Sequence, residues 1–289
     1  MPLAKAVVTR TGMRGGTRED PLSLMANTHP QTNLKVIILA GGYGTRLSEE
    51  TSVIPKPMIE IGGRPLLWHL MKFFSAQGSR EFIIALGYKG HVIKHYFLQY
   101  PHLQSDLRIN LANGSVEAVQ KFSEDWSIEL VNTGQNTMTG GRLRRLKDKI
   151  DNTFIFTYGD GLSDIDISKL VSFHKSHGKL ATVTAVRPVS RFGLLRLSTD
   201  DQVLSFAEKP DYHNELINGG FFILEPEVLD YIDDDETVWE RGPCERLVAD
   251  GQMMAYHHDG FWQCVDTLHE LRLLRDIWDE GIAEWKVWQ

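Results

Sequence analysis

Cysteine is nearly absent: Cys244 and Cys264 are the only two in 289 residues, and no Cys-x-x-Cys pair occurs. That is too little sulfur for a disulfide framework or a structural zinc site, and it fits a reducing cytoplasm. Long apolar runs are missing too, none approaching the roughly 18–20 residues that a membrane span requires. Residues 1–33 carry arginines but lack the apolar core of about 7–15 residues that a secretory signal needs. Their Thr, Gly, Pro and Asn content reads as a flexible N-terminal extension, with Met25 as a second candidate start. Positive charge is also in short supply. A net charge of −7 argues against broad electrostatic binding to nucleic acid and suits an enzyme that gathers its cations in one cleft. No internal repeat or low-complexity linker interrupts residues 34–289, which are long enough for one generous domain.

What is present is concentrated at one place, LKVIILAGGYGTRLSEETSVIPKPM, residues 34–58. An apolar, β-branched run breaks abruptly into Gly41, Gly42 and Gly44; Arg46 follows, and Lys56 stands between Pro55 and Pro57. A buried strand ending in a glycine loop turns bare backbone N–H groups toward one point, which favours a phosphate. Two cations on the same segment suit a polyvalent anion. The prolines hold Lys56 in an extended, low-entropy stretch. The loop lacks the Gly-Lys-Ser/Thr of a P-loop. It also departs from the dinucleotide fingerprint, because Leu47 takes the third glycine position and polar residues 48–52 delay the helix.

Downstream, periodicity predicts a helix over 65–78, a buried strand over 81–86 and a second helix over 91–100. Residues 106–131 alternate and suit short strands or a flap. A basic helix is expected over 142–150, a strong strand over 153–158, and strands over 180–186, 194–197, 203–206 and 218–224. Helices over 225–232 and 267–280 complete an α/β chain with the strand–helix rhythm of a parallel sheet. Ligands of such sheets bind beyond the carboxyl ends of the strands. Asp160 stands at one such end between Gly159 and Gly161. There a carboxylate either makes an Asp-Gly turn or, facing a triphosphate, holds Mg²⁺. Asp266, just before the last helix, reads either as its N-cap or as a second acidic ligand. The Asp164-x-Asp166 pair, the kind that a nucleotide-sugar-dependent glycosyltransferase would use, lies beyond the strand end.

The string Gly41-Gly42-Tyr43-Gly44-Thr45-Arg46-Leu47 with the later Pro55-Lys56-Pro57 resembles the signature of the sugar-1-phosphate nucleotidyltransferases. The resemblance implies a Rossmann-like, mostly parallel sheet flanked by helices, of the nucleotide-diphospho-sugar transferase type. It implies that Leu39, Ala40, Gly41, Gly42, Gly44, Thr45 and Gly159 surround the nucleotide, while Arg46 and Lys56 neutralise charge during transfer. Asp160 and Asp266 would hold Mg²⁺. In Glu208-Lys209-Pro210, otherwise a common surface tripeptide, Lys209 would grip the sugar phosphate; Glu208, Asn218 and Gly219 would meet the sugar. Finer strings, among them Gly87-Tyr88-Lys89-Gly90, Met138-Thr139-Gly140-Gly141-Arg142 and Asn218-Gly219-Gly220-Phe221-Phe222, resemble the subgroup that uses CTP and α-D-glucose 1-phosphate. In that subgroup Thr137 lies near the nucleotide and Arg142 pairs with phosphate oxygens; from local sequence alone Arg142 equally opens a solvated basic helix. Ile54 and Cys264-Val265 depart from the subgroup beside these positions, which bears on sugar choice; the alternatives are UTP or dTTP as nucleotide, a modified sugar 1-phosphate, or a non-catalytic regulatory subunit on the same fold. A homo-oligomer is implied by the resemblance only.

Overall fold

The structure, a computed structural model, describes residues 32–44, 47, 51, 53–120, 124–188, 194–207 and 215–288. The chain opens with β1 (Val36–Ala40), five buried apolar residues. The hairpin of β2 (Glu60–Ile61) and β3 (Arg64–Pro65) turns on Gly62 and Gly63, at φ 56° and 72°, a conformation that glycine adopts without steric cost. Then come α1 (Leu66–Ala76), β4 (Glu81–Leu86), α2 (Gly90–Leu103), the hairpin β5 (Asp106–Asn110) and β6 (Ser115–Gln120), β7 (Ser127–Asn132) and the short α3 (Thr139–Arg144). The second half runs β8 (Phe154–Tyr158), β9 (Gly161–Ser163), α4 (Ile167–His177), β10 (Ala181–Val186), the hairpin β11 (Leu194–Leu197) and β12 (Val203–Ala207), and β13 (Ile217–Leu224). It closes with α5 (Gly242–Ala249), β14 (Met253–His258), β15 (Trp262–Cys264) and α6 (Leu268–Asp279).

Seven strands form the main sheet in the order β14-β10-β13-β8-β1-β4-β7. Only β13 runs antiparallel to its neighbours; the pairings β1–β4, β1–β8, β4–β7 and β10–β14 are parallel. β1 is central and covered on both faces, which is why it reads as an unbroken apolar run. Val36 and Ile38 enter one core layer with Leu70, Phe73 and Phe74 of α1, while Ile37 and Leu39 enter the other with Leu143, Phe156 and Trp239. The alternation is the two-residue period of a strand, made invisible by having a core on each side.

Three expected elements differ. The helix expected over 142–150 begins at Thr139 and ends at Arg144, with a 3-10 turn at Lys147–Lys149. Gly140 and Gly141 lie inside it because the backbone of 235–239 packs where their side chains would stand, 2.8 and 2.5 Å from an added Cβ. The segment 225–232 is a 3-10 turn, Pro226–Tyr231. Residues 106–131 resolve into the exposed β5–β6 hairpin and β7. The helices α4 and α5 and the strands β9, β14 and β15 were not anticipated. β9 and β15 are three residues each, too short for a period to register. No helix among the described residues is long and apolar enough to cross a membrane.

Candidate active site

Because β1, β4, β7 and β8 run parallel, their carboxyl ends deliver four loops to one edge of the sheet. A cleft of ≈ 580 Å³ opens there, lined by Leu39–Gly44, Lys56, Gln135–Thr139, Arg142, Tyr158–Asp160 and Asp266, among others. Gly44 sits at φ +64°, and its carbonyl accepts from Leu47 N–H at 3.0 Å and from Thr51 Oγ1 at 2.9 Å. Gly159 is a close-approach glycine. A Cβ there would stand 2.8 Å from Pro57 Cγ and 2.9 Å from the Leu39 carbonyl, to which its own N–H donates at 3.0 Å.

Lys56 lies in a short 3-10 turn, Lys56–Met58, that follows extended Pro55. Its Nζ donates to Asp160 Oδ2 at 2.6 Å and to Asp266 Oδ1 at 2.7 Å. Burial alone would lower the lysine's pKa; the charges and hydrogen bonds of Asp160 and then Asp266 outweigh it and hold the ammonium above its ordinary value. The aspartates meet through a small ladder. Asp160 precedes β9, which pairs antiparallel with β15 in the register Gly161↔Cys264, and Val265 N–H donates to the Asp160 carbonyl at 2.9 Å. Asp266 follows directly. It is not the helix cap: Thr267 is, in a capping box with Glu270, whose Oε2 accepts from the Thr267 and Asp266 N–H groups at 2.8 and 2.7 Å. The neighbouring thiol of Cys264 is pushed up to about 12 by burial and by the carboxylates of Asp266 and Glu270, so it stays neutral.

Arg142 is 4% exposed. Nη1 donates to the carbonyls of Leu86 and Gly134 and to Thr133 Oγ1, and Nη2 to the carbonyls of Gly41 and Gln135, all within 2.6–3.2 Å. The guanidinium thus laces the ends of β1, β4 and β7 together. Burial pulls its pKa down. These bonds occupy Nη1 and Nη2 while the residue lines the cleft, so the side chain does not occupy the open, solvated helix turn. Thr137, 8% exposed, lies on the same wall.

A nucleotidyl transferase family profile matches residues 35–273 of this chain. The chain belongs to the nucleotidyl transferase family. Glucose-1-phosphate cytidylyltransferase of Salmonella typhi is 51% identical over 258 residues, 89% of this chain and 100% of that protein. The probable glucose-1-phosphate cytidylyltransferase of Bacillus subtilis is 44% identical over 257 residues, 88% and 100% of the two chains. Among solved structures, HddC from Yersinia pseudotuberculosis superposes with a TM-score of 0.59 at 25% identity, over 85% of this chain and 99% of that one. Apo UDP-glucose pyrophosphorylase reaches a TM-score of 0.62 at 17% identity, over 86% and 98%, a likeness of fold.

The nucleotidyl transferase places Leu39, Ala40, Gly41, Gly42, Gly44, Lys56, Thr137, Arg142, Gly159, Asp160 and Asp266 around one cleft. Asn218 and Gly219 stand at the start of β13, whose antiparallel course brings that end beside Tyr158. Thr45, Arg46, Glu208 and Lys209 lie outside the described residues, as does nearly all of the N-terminal extension. Asp166 caps α4 by accepting from Lys169 N–H at 3.0 Å, whereas Asp164 Oδ1 lies 3.0 Å from His258 Nε2 without a hydrogen bond, and neither aspartate lines the cleft. Sequence reasoning missed Gln135, Asn136 and Tyr158 on the cleft wall, and Glu240 behind it, which accepts from Tyr158 and Thr139. The signal for Tyr158 was its place one residue before the strand-end glycine; Glu240, in a loop between turns, carried none.

Proposed function

We propose that the protein transfers a cytidylyl group from CTP to α-D-glucose 1-phosphate, giving CDP-glucose and pyrophosphate. The observation that carries this reading is the Lys56–Asp160–Asp266 cluster at the open ends of β1 and β8, held at 2.6 and 2.7 Å. The cytidylyltransferases that share about half of its residues support the choice of base and sugar.

The donor set fits Mg²⁺. Two carboxylates converge on one cation, and the metal commonly takes one or two carboxylates and completes its shell with phosphate oxygens and water. No group of three or more His, Cys, Asp or Glu gathers among the described residues, so the protein's share of the shell would be these two carboxylates. Asp160 and Asp266 would hold the ion, and when bound it screens phosphate charge as a Lewis acid. The sugar-phosphate oxygen attacks the α-phosphorus in line as pyrophosphate leaves; already an anion, it needs no general base. The chain's own work is positioning and electrostatics. The glycine loop takes the triphosphate, Lys56 moves from the carboxylates to the α-phosphate, Arg46 holds the leaving pyrophosphate, and Lys209, with Glu208, Asn218 and Gly219, seats the sugar phosphate. We expect a cytoplasmic homo-oligomer.

Pyrophosphate release, measured with CTP, UTP, dTTP, ATP and GTP against glucose 1-phosphate and several other sugar 1-phosphates, tests the reading. CTP with glucose 1-phosphate should give the highest kcat/KM. Preference for UTP or dTTP would replace the nucleotide; tight nucleotide binding without pyrophosphate would remove the enzyme reading.

A further inference from the structure

Tyr158 lines the cleft and faces the start of β13, where the proposed sugar-phosphate contacts Asn218 and Gly219 stand. Toward the nucleotide half its hydroxyl donates to Glu240 Oε1, and the other oxygen of that carboxylate accepts from Thr139 Oγ1 at 2.7 Å. Thr139 begins α3, lines the cleft and accepts from Trp239 N–H at 2.9 Å. Toward β13, Asn218 Oδ1 accepts from Gly220 N–H at 2.8 Å, which sets the turn that faces the phenol ring. Gly220 is at φ +80°, and a Cβ there would lie 2.8 Å from the Tyr158 ring. Next door, the Gly219 carbonyl accepts from Trp262 Nε1 at 2.7 Å, on the strand that leads to Asp266.

One phenol therefore touches α3 through Glu240 and β13 directly. A carboxylate can only accept, so Glu240 fixes the protons of both the tyrosine and the threonine. Burial and the adjacent Glu240 charge hold the phenol far above its ordinary range, so it donates at every working pH.

We propose that Tyr158, held by Glu240, is a positioning residue that sets the spacing between the nucleotide and sugar-phosphate halves of the cleft. The inference rests on the proposed transfer reaction and deepens it. An in-line attack tolerates little error, a misplacement of about 1 Å costing on the order of 100-fold in rate. The tie to Glu240 thus acts on the meeting of the substrates, while nucleotide affinity is left to the loops.

The test is a cycle of Tyr158→Phe, Glu240→Ala and the double variant, with Glu240→Gln, which keeps an acceptor for the phenol. Each single variant should lower kcat/KM for glucose 1-phosphate about tenfold, while the calorimetric Kd for CTP without sugar phosphate stays within about twofold. The double variant should be no worse than either single one, because both break the same tie. Glu240→Gln should recover most of the loss. Unchanged kinetics, additive losses, or a CTP Kd that weakens in step with the sugar KM would each overturn the role. Wild-type protein measured alongside separates the two claims. If it prefers another nucleotide, the choice of CTP falls and the cycle is run with that nucleotide; if it turns over none, both claims fall.

Discussion

At the residue scale, the cleft is organised by a few side chains with more than one partner. Lys56 neutralises two carboxylates that would otherwise face each other in a partly desolvated site. Replacing Asp160 or Asp266 by Asn should cut turnover by at least about 100-fold and flatten its Mg²⁺ dependence, measured as pyrophosphate release across a magnesium titration. Activity and metal response kept by Asp160→Asn would remove that residue from the metal site. Arg142 makes a second prediction of a different kind. It bonds oxygens from three strand ends; in Arg142→Met the Leu86 and Gly41 carbonyls keep their bonds from Thr133 and Tyr88 N–H, while the Gly134 and Gln135 carbonyls lose the guanidinium, at about 1–3 kcal/mol for a group that water does not reach. We expect a stability loss of about 1–2 kcal/mol by urea unfolding without ligand; an unchanged midpoint would show that water replaces the guanidinium at no cost. Arg142 also adds a neighbour to two glycines. A Cβ on Gly41 would lie 2.3 Å from its Cζ and one on Gly87 2.4 Å from its Nη1, so both glycines make room for the arginine. Sequence shows that a glycine is needed there and is silent on the neighbour that needs it.

At the element scale, α1 carries a buried histidine that predicts a pH response. His69 is fully buried; Nε2 donates to the Ile61 carbonyl at 2.9 Å and Nδ1 accepts from Trp285 Nε1 at 3.4 Å. Burial foremost, with the charge of Arg64, lowers its pKa from 6.5 to about 4, against the opposing pull of the Ile61 hydrogen bond. The unfolded chain therefore takes up a proton below pH 6.5 that the native protein refuses until about pH 4. This contribution to stability is whole above pH 6.5 and lost as pH falls through the window to 4, about 3 kcal/mol in all. Denaturant midpoints from pH 7 to 4 should fall less steeply for His69→Gln than for the wild type; parallel curves would show that His69 does not titrate on unfolding. The long periodic elements, α1, β4 and α6, were legible in the sequence because each buries one or both faces. The three-residue strands β9 and β15 were not. Three residues carry no period, and their pairing depends on a partner far away in the chain.

At the scale of the whole molecule, the cleft joins loops from β1, β7 and β8 with the segment after β15, so binding there ties distant parts of the chain together. CTP with Mg²⁺ should raise the thermal midpoint, by an amount worth about 2.7 kcal/mol at a hundredfold excess over Kd. Differential scanning calorimetry checks it, and the gain should shrink in Asp160→Asn if Asp160 holds the ion that nucleotide binding requires. The sequence by itself determined the α/β class, the buried strand that breaks into a glycine loop, and the family, because these are written in contiguous residues and local periods. It left Asp266 undecided between helix cap and acidic ligand, and Arg142 between solvated turn and nucleotide contact. Tertiary structure decided the local geometry of both: Thr267 caps α6, and Arg142 is buried among carbonyls. It also brought Asp160 and Asp266 to one lysine, through the β9–β15 ladder. The physical reason is that a side chain's role depends on which distant backbone comes to stand beside it, and strand pairing across the fold is set by the packing of the whole core.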